Sequence, residues 1–148
     1  MRLDRHGIFL WISGFLFFSD RILKFLAPRF PENALSTSSH LAGAGFFLNP
    51  KLLGLTLPSF FSFGAALAAL VLFLIFAAEQ KLSRPPVYLI LAGGLSNLVD
   101  RGLFSGVVDF IRIGNATFNI ADLLIWVGIF LLLRQAFFSE RPSPGIIS

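Results

Sequence analysis

The sequence predicts an all-α membrane protein: a four-transmembrane-helix bundle with a small β-containing region outside the membrane. Three observations predict it. The chain of 148 residues is 55% hydrophobic, carries 19 Phe and has a mean hydropathy of +0.79. Its apolar residues fall in blocks close to the ~20 residues that cross a bilayer as a helix. Between two blocks, VVDFIRI alternates like a short strand and runs into the turn signal Gly114-Asn115. The length fits one domain, so residues 1–148 are read as a single integral membrane domain.

The first expected span is 8–27, after a short polar start with Arg2, Asp4 and Arg5. A basic start before an apolar run is also the pattern of a signal peptide. No small-x-small cleavage pattern follows, so this span is expected to be retained. Asp20 and Lys24 are four apart and share a helix face. They fit either an interfacial ion pair that anchors the helix end or part of a site at that end.

Residues 28–57 are too long a stretch for a simple turn and are expected to have their own small structure or a binding role. Within them, LAGAGFF (41–47) suits a membrane-surface segment or a strand, and His40 a solvated loop position. The second span, 58–78, opens on Pro58, which suits a helix start. It contains no charge, and Gly64, Ala65, Ala66, Ala68 and Ala69 would allow close helix packing. A polar turn, 79–86, leads to the third span, 87–104. Its second half holds Asn97, Asp100 and Arg101, with Asn97 and Asp100 three apart and facing the same way. The fourth span, 118–138, has Asn119 and Asp122 in its first turns. Residues 139–148, with Pro142, Pro144 and Gly145, are expected to be a disordered tail.

Four spans put both termini on one side. The twelve basic residues divide six against six between the two sides. Arg21, Lys24 and Arg101 adjoin acids within spans. Setting them aside leaves six against three, which places the termini in the cytoplasm and the polar span ends at the outer face.

Composition also excludes. Without cysteine there are no disulfides, thiol nucleophiles or cysteine-ligated metals. With only His6 and His40, no histidine metal site is expected, and no cofactor. The net charge of +4 is scattered over span ends and loops. Such residues meet lipid headgroups, and without a basic stripe or stacking platform no nucleic-acid partner is expected.

Three of the eight acids, Asp100, Asp109 and Asp122, lie between Asn97 and Asp122. An ionisable residue in such a place is a functional-site hypothesis by default. Two carboxylates close together in a partly dry site do not both ionise easily. One can then activate a water while the other protonates a leaving nitrogen, with no metal, thiol or serine triad. Asp109 and Asp122 suit these roles. Asp100 with Arg101 reads as a structural ion pair, and Asn119 as a group that orients a carboxylate or a carbonyl. A set of interfacial helix caps and ion pairs fits the same residues, and the residues alone leave both readings open.

GGLSNLVDR, then GVVDF, then FNIAD resembles the lipoprotein signal peptidases, the type II signal peptidases of bacterial inner membranes. The resemblance is specific in the second half of the chain and weaker in the first. It implies a multi-pass membrane aspartyl endopeptidase that cuts signal peptides from diacylglyceryl-modified prolipoproteins at the extracytoplasmic face. Its fold would be a four-helix bundle with a small outer β-structure, and its partners lipid-modified precursors and membrane lipids. A monomer is expected. Asp109 and Asp122 match the catalytic dyad. Asn97, Asp100, Arg101, Asn119 and Ala121 match supporting motif positions. Asp20 and Lys24 match a first-span motif in which Arg21 stands where Gln is usual.

There are departures. Leu41 stands where the family has an Asn that helps bind the substrate backbone. Ser96 replaces a Gly before Asn97. The connection from Asp109 to Asp122 is several residues shorter than usual, which predicts a trimmed outer surface near the cleft. Two other classes of function stay in view: a non-catalytic relative that binds lipidated peptides, and a small transport subunit. The clustering of the acids at one face opposes the second.

Overall fold

The computed structural model describes residues 5–29, 42–52 and 54–138. His40, Leu41, the rest of 30–41 and the tail 139–148 lie outside the described residues. The elements in order are α1 (Arg5–Leu26), a 3-10 turn (Ala27–Arg29), β1 (Ala42–Asn49), β2 (Lys51–Leu52), β3 (Leu55–Thr56), α2 (Ser59–Glu79), α3 (Arg84–Phe104), β4 (Val107–Ile113), β5 (Ala116–Phe118) and α4 (Ile120–Phe138). Among the described residues, three helices, α2, α3 and α4, are long and apolar enough to cross a membrane.

Helix α1 is inverted relative to a water-facing helix. Leu10, Trp11, Phe15, Phe18, Ile22 and Phe25 point outward, while Ser13, Asp20 and Lys24 are buried. The three polar positions are spaced by seven and four, which keeps them on one face. A small apolar core of Leu89, Ala92 and Leu124, flanked by Leu16, Phe17, Ile120 and Leu131, joins α1, α3 and α4.

Helix α3 starts earlier than the hydropathy suggests. Ser83 is extended, and Pro85 and Pro86 lie in the first turn, not in a preceding loop. Their missing N–H groups fall where a helix has no acceptors for them. The fourth helix starts later: Phe118 ends β5, and Asn119 stands just before the helix.

The small residues of α2 would allow close packing, but the tight contact lies elsewhere. A Cβ on Gly64 would meet nothing within 4 Å, and Ala65, Ala68 and Ala69 are exposed. The tight contact is between α3 and α4. A Cβ on Gly93 would collide with the carbonyl oxygen of Ala121, and one on Gly128 would sit 2.9 Å from that of Pro86. Among the helices, α2 leans chiefly on α3, so its small residues Ala66 and Ala69 line a groove that opens toward α4.

The strands gather where α1 and α3 end and α2 and α4 begin. A three-stranded antiparallel sheet has the order β1-β4-β5. LAGAGFF thus contributes a strand over its described residues, and VVDFIRI is the central strand. Between Ala44 and Phe47 the register slips, because three steps along β1 oppose two along β4, from Ile111 to Asp109. This one-residue bulge bends the strand beside Asp109. The β4–β5 hairpin closes through Gly114-Asn115, with Gly114 at φ +57. A two-residue turn with positive φ at its first position matches strand twist. β2 and β3 form a second, two-stranded hairpin beside it.

Candidate active site

At the sheet end of the bundle the polar residues of four helices and the sheet meet. Asp20, Asp100, Asp109 and Asn119 are fully buried, and Lys24 and Arg101 nearly so. Buried polar and charged groups need partners: Asp20, Lys24 and Asp100 are ion-paired, and Asp109, Asn119 and Arg101 are held by hydrogen bonds.

The deepest layer is built on α1. Lys24 Nζ, with three donors, reaches Asp20 Oδ2 at 2.9 Å, Asp100 Oδ2 at 2.8 Å and Asn97 Oδ1 at 2.9 Å. Ser96 Oγ donates to Asp20 Oδ2 at 2.6 Å. The other Asp20 oxygen accepts the backbone N–H of Ala121 at 3.1 Å, so α1 supplies a carboxylate to the first turn of α4. That N–H belongs to the donors a helix start leaves open, and negative charge is favoured there. Asp20 and Lys24 are therefore buried among the site residues.

Asp100 does not pair with Arg101. Its Oδ1 pairs with Arg21, its Oδ2 with Lys24, and Oδ2 also accepts the Val108 N–H at 3.1 Å. Neighbouring residues on a helix point about 100° apart, so Arg101 faces elsewhere. Its Nη1 donates to Ser62 Oγ at 2.5 Å and its Nη2 to the Lys51 carbonyl at 2.8 Å. It thereby ties α2 and the β2 strand to α3, and lies within electrostatic reach of Asp109 and Asp122.

The upper layer holds the two candidate catalytic acids, and Asn119 joins them. Asn119 Nδ2 donates to Asp109 Oδ1 at 2.7 Å, while its Oδ1 accepts the Asp122 N–H at 2.9 Å. Asp122 Oδ2 returns a contact to the Asn119 N–H at 3.2 Å. This reciprocal arrangement is a capping box. Asp122 Oδ1 accepts from Asn97 Nδ2 at 2.8 Å, and the two acids lie within electrostatic reach of each other. Asp109 Oδ2 accepts from Thr117 Oγ1 at 2.7 Å and from Asn49 Nδ2 at 3.2 Å.

Both acids line one end of a groove of about 1080 Å³. Asn49, Asn97 and Arg101 stand beside them. Ala66, Ala69, Leu70 and Phe73 of α2 form one wall, Ile125, Ile129 and Leu132 of α4 the other, and Ile90, Gly94 and Leu98 of α3 the floor. No group of three or more His, Cys, Asp or Glu side chains suited to a metal ion lies among the described residues.

All nine residues singled out in the sequence converge here. Sequence reasoning passed over Asn49, Thr117, Ser62 and the contact made by the Lys51 carbonyl. The turn count gives no signal for Thr117: across Gly114-Asn115 it pairs with Arg112, three residues along β4 from Asp109, where alternation turns side chains to the other face. Asn49 had none, since its position depends on the β1 bulge.

Comparison with known proteins gives a consistent answer. The sequence profile of the family described as signal peptidase (SPase) II matches residues 12–138. A lipoprotein signal peptidase of Actinobacillus succinogenes is 30% identical over 145 residues, covering 87% of this chain and 89% of that protein. One from Histophilus somni is 31% identical over 158 residues, covering 93% of each. Among solved structures, a bacterial membrane enzyme determined at 2.3 Å superposes with a TM-score of 0.65 at 26% identity, over 93% of this chain and 94% of that one. A second, at 1.9 Å, gives a TM-score of 0.70 at 20% identity over 91% and 95%, a likeness of fold.

Proposed function

The chain belongs to the signal peptidase II family, and on that premise we propose that it is an aspartic endopeptidase in which Asp109 and Asp122 cut signal peptides from lipid-modified precursors. It is a peptidase and a multi-pass bacterial membrane protein that processes lipoprotein signal peptides. The observation that carries the aspartic reading is Asn119, one side chain that touches both acid residues at the mouth of an apolar groove.

One carboxylate takes a proton from water as the water oxygen attacks the scissile carbonyl carbon. The other carboxyl gives its proton to the departing nitrogen as the C–N bond breaks. Asn97 and Asn119 hold the carboxyls in place, which limits the reorganisation the step requires. The groove offers apolar walls to a lipid-bearing segment next to the acids, so the reacting bond is held where water is scarce. Membrane lipids bound the outer faces, and the monomer contains every residue the step uses.

Helix α1 is the fourth crossing helix in this reading. It has 22 residues, about 33 Å, and turns its charged residues inward and its aromatic ones outward. The acid end faces away from the cytoplasm. Supporting that side, Arg21, Lys24 and Arg101 are all engaged within the site, so the remaining basic residues favour cytoplasmic termini.

The test is cleavage of a diacylglyceryl-modified precursor by purified protein in detergent. Asp109→Asn and Asp122→Asn should each abolish it without loss of membrane insertion. Normal cleavage by either variant ends the assignment. Binding without cleavage by the parent protein favours a non-catalytic relative instead.

A further inference from the structure

The carboxyl of Asp109 is held from three sides by elements distant in sequence. Asn119, before α4, donates to Oδ1. Thr117 of β5 and Asn49 at the end of β1 both donate to Oδ2. An aspartate needs such support, because rotation of its carboxyl plane is a broad torsion that rotamer preference does not set. Asp109 is fully buried on the central strand, opposite Phe47 of β1.

The direction of the Asn49 amide is itself determined. Its Oδ1 accepts the backbone N–H of Lys51 at 3.1 Å, two residues on. That turn fixes which end of the amide is oxygen and so turns Nδ2 toward Asp109. The Lys51 carbonyl in turn accepts from Arg101, so this stretch is anchored to α3. Asn49 also lines the groove, beside Asp109.

We propose that Asn49 and Thr117 are positioning residues for the cleavage reaction: together they lock the plane of the Asp109 carboxyl relative to Asp122. The inference rests on the aspartic reading above. It predicts an effect on the chemical step, since neither contact reaches the groove's apolar walls where most of the substrate would be held. Misplacing a reacting group by about 1 Å can cost on the order of 100-fold in rate.

Two substitutions separate positioning from folding. Asn49→Ser keeps an oxygen that can accept the Lys51 N–H, adds no charge beside Asp109, and is too short to carry a donor to it. Thr117→Val keeps the shape and removes the hydroxyl, and Thr117→Ser restores it. The assay is steady-state cleavage of a synthetic diacylglyceryl-modified precursor peptide by the full chain in detergent, with melting followed in parallel. Expected are a fall in kcat of roughly 10-fold or more for Asn49→Ser and Thr117→Val, KM within about twofold, unchanged melting, and recovery of most of kcat in Thr117→Ser. The proposal is overturned by kcat within about twofold of the parent in both variants while Asp109→Asn is inactive. It is also overturned by a loss that tracks melting, or by Thr117→Ser as poor as Thr117→Val. An active Asp109→Asn variant instead removes the aspartic reading, and this inference with it.

Discussion

Asn119 and Asp122 cap one another: the side chain of each accepts the backbone N–H of the other, at 2.9 and 3.2 Å. The start of α4 and the placement of a candidate catalytic acid are therefore one structural event. The other oxygen of Asp122 accepts from Asn97, so the carboxyl is defined at both atoms before any substrate arrives.

This coupling separates two roles of Asp122. In Asp122→Asn an amide oxygen remains to accept the Asn119 N–H, so the helix start should survive. Thermal unfolding in detergent should stay within about 1 kcal/mol of the parent, the scale of one cap, while precursor cleavage falls to background. A variant that still cuts would show that Asp122 serves only the helix.

Asn119→Ala removes the contact to Asp109 and the cap on α4 together. It should lose about 1 kcal/mol of stability and at least about 100-fold in kcat, because the geometry of the acid pair relaxes. Melting and steady-state kinetics check the two parts separately. Loss of stability with full activity would deny Asn119 its bridging role.

Lys24 is the sole cation contacting both Asp20 and Asp100 among the described residues. Lys24→Met leaves Asp20 with no ion-pair partner among them and Asp100 with Arg21 alone. Removing one partner of a buried charge cluster costs about 3–5 kcal/mol. A large drop in melting temperature is therefore expected, and unchanged melting would contradict the pairing.

Gly93 and Gly64 form a matched pair of tests. Gly93→Ala drives a methyl into the Ala121 carbonyl, next to Asp122, and should lower both melting temperature and cleavage. Gly64→Ala meets open space and should leave both unchanged or stabilise slightly, as a helical Gly replaced by Ala generally does. Equal behaviour of the two variants would refute the close α3–α4 contact.

Much of this architecture is legible in the chain as written. The apolar blocks are long because a helix in lipid must satisfy its backbone internally over the bilayer thickness. The Asp20–Lys24 contact follows from helix geometry alone, since residues four apart share a face. The Gly114-Asn115 turn follows from backbone sterics, because glycine adopts positive φ at little cost. FNIAD already carries a helix start, with Asn119 three residues before Asp122.

Other features depend on how elements meet. Asp100 sits beside Arg101 in sequence, yet its partners are Arg21 and Lys24, because side-chain direction on a helix outranks adjacency. The small residues of α2 allow tight packing, and the tight seam formed between Gly93 of α3 and Ala121 of α4 instead. No local pattern announces Asn49, whose approach to Asp109 requires a bulge in one strand and a register with another.

The sequence by itself determined which segments are helical, where the chain reverses, and which acids stand close to span ends, because these follow from periodicities of a few residues. Only the tertiary structure decided the partners: Asp20 on the first turn of a helix 101 positions away, Lys24 between two carboxylates, and Asn119 between the two candidate catalytic acids. Those contacts depend on helix crossing and strand register, which are settled by packing the whole chain at once.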